Sequence, residues 1–430
     1  MKKINFVHLH NHSENSINDS ALKAKDMVKK AKELGMKAIA LTDHGNLMGM
    51  DKFLSCADDD INLIAGCEVY VGADITDLDG NYEVDHTAKN NKALMHLVVL
   101  AKNNEGYKDL CNIVTESNDP KNILVINKKR QYPVTTIANL KQNAHGNNIA
   151  MSACVQGVIS AQFLHNKRVS AELKNLITEK DYTTLSTNLQ KANAELKEAK
   201  KNVKSLEGIE QMKLQSRIEM MELTISSMTK EYNEKTVEIS KRREKESLLV
   251  SEDQCYTNGL NMAKKMQEIF GKENFYIELQ NHGMDEEAYV APMLIRIARE
   301  IGAGLVATND VHMLNNSEED VMGRQIMKFN GFEQWFDADP VDKELYLKTA
   351  DEMLETLRRV VPVEIAEEAM ENTVKIADMC HVKLEQQYHY PVFDCKDAKQ
   401  LLRQKAYEGL TTRYQGRPDM DDLMDKTEYE

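Results

Sequence analysis

Short apolar runs alternate with amphipathic stretches through the first third of the chain. Residues 4–9 read as a strand. Residues 21–34 read as a helix, with Met27, Val28, Ala31 and Leu34 at helical spacing and Gly35 placed to cap it. Residues 37–41 form the next strand and run into Thr42-Asp43-His44-Gly45. The strand over 62–71 carries Glu68, an apolar run over 94–100 encloses His96, and the run over 149–154 ends on Cys154. The alternation resumes at 274–280, passes through a helix over 286–301, and ends with 305–312, which releases Asp310 and His312. Strand, polar residue, helix, repeated about seven times, predicts an α/β fold: a distorted (β/α)7-type barrel. In such barrels chemistry gathers where the strands end.

Between 166 and 251 this alternation stops. The stretch has no proline and one glycine. Leu185, Leu189, Ala192, Leu196, Ala199, Val203 and Leu206 follow 4-and-3 spacing, and so do Leu214, Ile218, Met221, Ile225, Met228 and Tyr232. The two seams are out of phase across Gly208. The pattern predicts an inserted antiparallel coiled-coil hairpin with matched arms of roughly 30–40 Å. One continuous helix that pairs with another subunit is the alternative. Beyond His312 the chain turns helical, over 351–360, 364–380 and 396–414, with Trp335 and Phe336 expected against the barrel and a polar tail over 417–430. The expected organisation is therefore barrel over 1–165, hairpin over 166–251, barrel again over 252–320, and a C-terminal helical extension over 321–430.

Composition narrows the class. The hydrophobic fraction of 42% and charged fraction of 29% are those of a soluble globular protein, and no apolar run is long enough to span a bilayer. No signal-peptide pattern opens the chain, so a cytoplasmic location and no membrane partner are expected. Seven scattered cysteines without a C-x-x-C pair argue for reduced thiols. A net charge of −14 disfavours nonspecific nucleic-acid binding by the chain as a whole.

Polar residues at the strand ends form the chemical signal. His10 and His12 lie two apart on one strand face, Asp19 follows after a turn, and Asp310-x-His312 repeats the pairing at the end of a later strand. Together with His44, Glu68, His96 and Cys154 they offer imidazole, thiolate and carboxylate donors suited to zinc, manganese or iron, with a carboxylate able to bridge two ions. Such a cluster activates water and clamps phosphate oxygens, which points to phosphoester hydrolysis. Asp43 is placed to orient an imidazole, as the neighbour of His44. Taken alone, His96 reads as a core histidine, Cys154 as a small buried hydrophobe and Glu68 as an ion-pair partner. The recurrence of all nine near strand ends favours metal. His8 and His282 are set aside as neighbours of the site, and His86, His145, His165, His381 and His389 as solvated.

These motifs resemble the polymerase and histidinol phosphatase (PHP) domain, more narrowly that of bacterial DNA polymerase III alpha subunits. The resemblance is carried by Phe6-Val-His-Leu-His-Asn-His-Ser-Glu14, Leu41-Thr-Asp-His-Gly-Asn-Leu-Met-Gly49, Gly66-Cys-Glu-Val-Tyr70, His96-Leu-Val-Val-Leu-Ala-Lys-Asn-Asn-Glu-Gly-Tyr107, Met151-Ser-Ala-Cys154, Phe275-Tyr-Ile-Glu-Leu-Gln-Asn-His-Gly283 and Ala307-Thr-Asn-Asp-Val-His312. It continues through Leu345–Leu354 and Glu371–Cys380 toward a polymerase palm, and covers about 1–165 and 256–415.

The resemblance implies three divalent ions, zinc or manganese, with iron and magnesium as alternatives. His10, His12, Glu68 and Asp310 would hold the first, Glu68, His96 and Cys154 the second, and Asp19, His44 and His312 the third. It also implies catalytic roles for His10, His12, Asp19, Asp43, Glu68 and Asp310 in 3′–5′ exonuclease proofreading of DNA, single-stranded or at a primer 3′ end. The remaining polymerase portion and other replisome subunits are the implied partners. The hairpin has no counterpart in the family pattern and is expected to bind a protein. Polymerase activity is not expected from these residues alone, and fragment, split subunit and free-standing nuclease all stay open. The alternatives are a structural docking module without hydrolytic activity and a small-molecule phosphomonoesterase.

Overall fold

The computed structural model describes residues 5–72, 94–126, 130–329, 340–384 and 394–429. Trp335, Phe336, His86 and His389 lie outside these residues. Among the described residues there are eight strands: β1 (Ala38–Leu41), β2 (Asn62–Val71), β3 (Met95–Ala101), β4 (Ile123–Ile126), β5 (Arg130–Thr135), β6 (Asn148–Met151), β7 (Phe275–Leu279) and β8 (Gly304–Ala307). They pair in the order β4-β5-β2-β3-β6-β7-β8, and β1 pairs with β2.

The opening segment completes the circuit. It is extended, but its ladder is broken. The His8 carbonyl accepts from Ala40 and the Asn11 carbonyl from Thr42, while Val311 donates to the His10 carbonyl and accepts from His12. Between those bonds the Asn11 amide donates to the His8 and Ala40 carbonyls, and the Thr42 hydroxyl accepts from the Asn11 backbone. Within residues 5–9 the Val7 N–H donates to the Thr373 hydroxyl and the His8 carbonyl accepts from the Asn11 amide, so side chains replace part of the expected ladder. Backbone bonding runs in a ring from the opening segment through β1, β2, β3, β6, β7 and β8 to Val311 and back.

One strand departs from the expected grammar. β3 runs antiparallel to both β2 and β6, whereas β1–β2, β6–β7 and β7–β8 are parallel. The start of β3 therefore lies at the rim where its neighbours end. That is how His96, second in its strand and opposite Tyr70, reaches the same rim as Glu68.

Helices cover the outside of the ring because their apolar positions recur at helical spacing. In Asp285–Ile301 the buried Val290, Ala291, Leu294, Ile297, Ala298 and Ile301 make one stripe, and Gly302 ends the helix at φ 69°. Burying each large side chain of such a stripe contributes about 1.5–3 kcal/mol. Ala24–Glu33, Asn104–Ser117, Glu252–Phe270, Ala350–Leu357 and Val363–Ala377 bury comparable stripes.

The insertion is a pair of antiparallel helices, Glu179–Asn202 and Gly208–Glu246. Arg243 pairs with Glu179, Tyr182 stacks on Tyr232, and Lys200 pairs with Glu222. Partner numbers in these pairs fall on one side as they rise on the other, which fixes the antiparallel register. Every residue of the two expected seams is at least partly covered, and Ile218 is buried. The arms are unequal, in contrast to the expected match. The first has 24 residues and the second 39, about 36 and 58 Å. The excess of the second packs on His165–Leu173, where Arg242 donates to the Leu173 and Leu176 carbonyls.

Residues 384–430 form a separate unit. Its helices Ala398–Tyr414 and Met420–Tyr429 are linked by Tyr407 and Arg403 to Glu428. The expected polar tail is thus helical in part, its first turn acidic through Asp421 and Asp422 as a helix N-terminus favours. Among the described residues no helix is long and apolar enough to cross a membrane.

Candidate metal centre

The rim of the ring collects all nine expected ligands. Three of them sit on or beside the non-glycine residues with positive φ: Asn18 (67°) precedes Asp19, Ala153 (59°) precedes Cys154, and Asp310 itself is at 46°. Left-handed backbone at side-chain-bearing residues costs free energy and persists where surrounding structure enforces it.

Glu68 is the hub. Its Oε2 lies 3.3 Å from His10 Nε2, 3.2 Å from His12 Nε2 and 2.9 Å from His44 Nδ1, while Oε1 is 2.9 Å from His96 Nδ1. Asp310 Oδ1 stands 3.3 Å from His10 Nε2 and 3.1 Å from His12 Nε2. Asp19 Oδ2 is 3.2 Å from Nε2 of both His44 and His312. Cys154 Sγ is 4.0 Å from His96 Nδ1.

Among the described residues, three groups have donor atoms that all lie within 4.8 Å of one another: His10, His12, Glu68 and Asp310; His44, Glu68 and His96; and His12, His44 and His312. The first is the set the resemblance implies. In the second His44 takes the place of Cys154, which stands beside His96. In the third His12 takes the place of Asp19, which faces both other imidazoles.

The donor atoms fit cations rather than each other. His10 Nε2, His12 Nε2, His44 Nδ1, His312 Nε2, Glu68 Oε2 and Asp310 Oδ1 are all buried without a hydrogen-bond partner. Buried polar atoms left unpaired are costly, and these six, four of them from one group, are donor types that divalent cations would satisfy.

Charge tells the same story. Burial pushes the Glu68 carboxyl up, but His44, His96 and His10 outweigh it and hold it well below the usual carboxylate range. Burial likewise opposes, and Glu68 with Asp19 overcomes, so that the His44 imidazole is raised to about 10. His10 is raised by Glu68, Asp310 and Glu278 against the same desolvation, whereas burial keeps His312 below its ordinary value. Burial, then Asp310 and Glu68, push the Cys154 thiol up. Protons on His10 and His44 balance the carboxylates, a role that bound cations would take over.

A second layer aims these donors. His10 Nδ1 meets Glu278 Oε2 at 3.0 Å, and Glu278 is fixed by Thr308 at 2.5 Å and the Ala153 N–H at 2.7 Å. His12 Nδ1 meets Ser16 Oγ at 3.0 Å, Ser16 donates to Asp43 at 2.8 Å, and Ser13 donates to Asp43 twice. His312 Nδ1 meets the Asp310 carbonyl at 2.7 Å. Asp43 therefore reaches an imidazole through Ser16, and it is that of His12, not of its neighbour His44. It does not face the cluster.

Sequence reasoning missed Glu278, Ser16 and Arg324. Glu278 carried a signal, a lone charge in the apolar strand Phe275–Leu279. Ser16 and Arg324 carried none. His8 and His282 stay outside the cluster. His8 Nε2 meets the Lys348 carbonyl, and burial lowers its pKa to about 4. His282 is held between Glu287 and the Asn309 carbonyl.

Residues 8–188 match the PHP domain, a span that includes seven of the nine expected ligands. The chain is 27% identical over 426 residues to the DNA polymerase III subunit alpha of Treponema pallidum, covering 96% of this chain and 27% of that protein. It is 27% identical to that of Thermus aquaticus, over 96% of this chain and 26% of that protein, and 26% identical to that of Deinococcus radiodurans, over 95% and 24%. The chain thus spans about a quarter of the length of these relatives. A solved structure from Bifidobacterium adolescentis, provisionally named a metal-dependent phosphoesterase, covers 79% of this chain and 94% of its own at 12% identity and a TM-score of 0.27, a likeness too distant to carry anything across.

Proposed function

We propose, on the premise that this chain carries a PHP domain and is related to DNA polymerase III alpha subunits along about 95% of its length, that it is a metal-dependent phosphoesterase. The reaction assigned to it is removal of nucleotides from DNA 3′ ends, in the cytoplasm and in company with replication proteins. One observation carries this reading: the six buried, unpartnered donor atoms that converge on the rim.

Three ions, zinc or manganese, are proposed. His10, His12, Glu68 and Asp310 would hold the first, Glu68 and His96 with Cys154 and His44 the second, and Asp19, His44 and His312 the third. Bound there, divalent cations supply Lewis acidity toward a phosphoryl oxygen and toward water. The chain's own residues do the rest. Glu68 spans the imidazoles of His10, His12, His44 and His96 and fixes the spacing between positions. Glu278 and Ser16 lock the rings of His10 and His12 so that each presents Nε2. Asp310, with its backbone held in the left-handed region, turns Oδ1 toward both of these rings.

The hairpin gives a second, compatible role. Ile209, Met212, Met220 and Leu223 on the long arm are at least 70% exposed, which supports binding of a protein partner by this arm.

The test is digestion of a 5′-labelled single-stranded oligonucleotide with added manganese or zinc, beside His12→Ala. A ladder of shortened products that the variant lacks is the expected outcome. Hydrolysis of a small phosphomonoester with no ladder would move the reading to a phosphatase. Neither activity, with ions bound, would move it to a docking module.

A further inference from the structure

Asp19 divides its two oxygens between imidazoles and a guanidinium. Its Oδ2 lies 3.2 Å from Nε2 of both His44 and His312. Its Oδ1 accepts from Arg324 Nη2 at 3.0 Å. Arg324 comes from the helix Glu318–Phe329, beyond the last expected ligand, and is only 5% exposed. Its Nη1 donates to Asp342, also 5% exposed, and its Nε is buried without a hydrogen-bond partner. Two carboxylates from distant parts of the chain therefore meet on one guanidinium.

The physical consequence follows from the shape of that group. A planar fork holds one carboxylate oxygen in a fixed direction, which a lysine ammonium cannot do. With Oδ1 engaged, Asp19 has one oxygen to offer a cation and one orientation in which to offer it. Free of Arg324, the carboxylate can turn or present both oxygens. The charge on Arg324 acts in the opposite sense, drawing electron density from Asp19 and weakening it as a donor. Orientation and charge thus make opposite predictions for removal of the side chain.

We propose that Arg324, anchored by Asp342, is a positioning residue for Asp19, and that it sets the affinity of the position formed by Asp19, His44 and His312 separately from the positions around Glu68. This rests on the metal-dependent reading above. Removal of outer partners of metal ligands lowers affinity about 10–100-fold, so orientation is taken to outweigh charge.

The experiment is Mn2+ titration of the full chain, followed by the electron paramagnetic resonance of free Mn2+, with thermal unfolding of the metal-free proteins alongside. The wild type is expected to bind more than one ion. Arg324→Met is expected to weaken one class of site about 10–100-fold and leave the others within about twofold. Arg324→Lys should lose part of that affinity, and Asp342→Asn, which keeps Arg324, less still. If Arg324→Met does not fold, Arg324→Lys and Asp342→Asn carry the test on the same terms. Unchanged or tighter binding at every site would overturn the proposal. So would an equal loss at all sites accompanied by a lowered unfolding temperature, which is the mark of a structural role. A wild type that binds no Mn2+ or Zn2+ would instead remove the metal-dependent reading itself.

Discussion

The histidine- and carboxylate-lined rim and the two-helix insertion are built on opposite rules. The rim draws its residues from positions 10 to 312, buries His10, His12, Glu68, His96 and His312, half-buries the other four, and holds Asp310 in left-handed backbone. The insertion draws on one continuous stretch, buries only Ile218 and Ile239 of its long arm, and is regular helix almost throughout. At the rim, polar groups are crowded at a cost in stability, offset by the apolar strands and helices that surround them. In the insertion each residue follows local preference and a seam of modest burial. The difference separates chemistry from reach. Changes at the rim should alter metal and catalysis without loosening the hairpin, and changes in the hairpin should do the reverse.

The largest effect should come from His12→Ala, which removes a donor shared by two of the three groups. Several kcal/mol of charge stabilisation are at stake, so hydrolysis should fall on the order of 10³-fold. Hydrogen exchange of the helix Gly208–Glu246 should stay as in the wild type. A hairpin that loosened with this variant would break the separation. Glu278→Gln comes next. It keeps the shape but removes the charge that faces His10 Nδ1 at 3.0 Å, and metal affinity should drop about 10–100-fold. Unaltered affinity measured by titration would show that Glu278 does not aim His10.

These two variants also mark the limit of what the sequence discloses. The convergence of the nine candidate residues on one rim was legible because residue types suited to metal recur near strand ends, a local pattern. The hairpin was legible because its seam is periodic and Gly208 breaks the phase. Features that depend on how distant segments meet were not. The reversed direction of β3 follows from its pairing with β2 and β6, and β3's own apolar run contains no sign of it. Asp43 adjoins His44 in sequence, yet the loop over 13–16 folds back so that Ser16 carries its influence to His12. Arg324 is twelve residues past His312 in an ordinary amphipathic helix, and only the fold sets it against Asp19. The arms of the hairpin were expected to match because the packing of the long arm on His165–Leu173 is a tertiary contact.

A smaller effect is expected from pH. Without metal, His44 is raised to about 10, burial being outweighed by Glu68 and Asp19, so it carries a proton at neutral pH. Coordination needs the neutral ring, and cation uptake must release that proton. Affinity should therefore rise with pH up to about 10 and fall as pH is lowered, about tenfold per unit for each proton displaced. Calorimetry in buffers of different ionisation enthalpy would measure the release. Uptake of Zn2+ with no proton release at pH 7.5 would contradict the charge balance described for the rim.

The smallest effect concerns the turn that joins the two arms. Gly208 has φ 63° with nothing within 4 Å of where a Cβ would stand, so no neighbour resists a side chain there and only the backbone does. Gly208→Ala should cost roughly 1 kcal/mol, the usual penalty for a Cβ in left-handed backbone. Because the strain lies at the tip, it should open the nearest turns and leave the base intact, where Arg243–Glu179 and the Tyr182–Tyr232 stack hold the arms. Hydrogen exchange should accelerate about fivefold around 203–215 and hardly at all around 232–246. Mn2+ affinity and hydrolysis should not change, since among the described residues no hydrogen bond or ion pair joins 203–208 to the rim. Acceleration along the whole of both arms would mean that the hairpin opens as one cooperative unit. A loss of metal affinity would mean that the two regions are coupled.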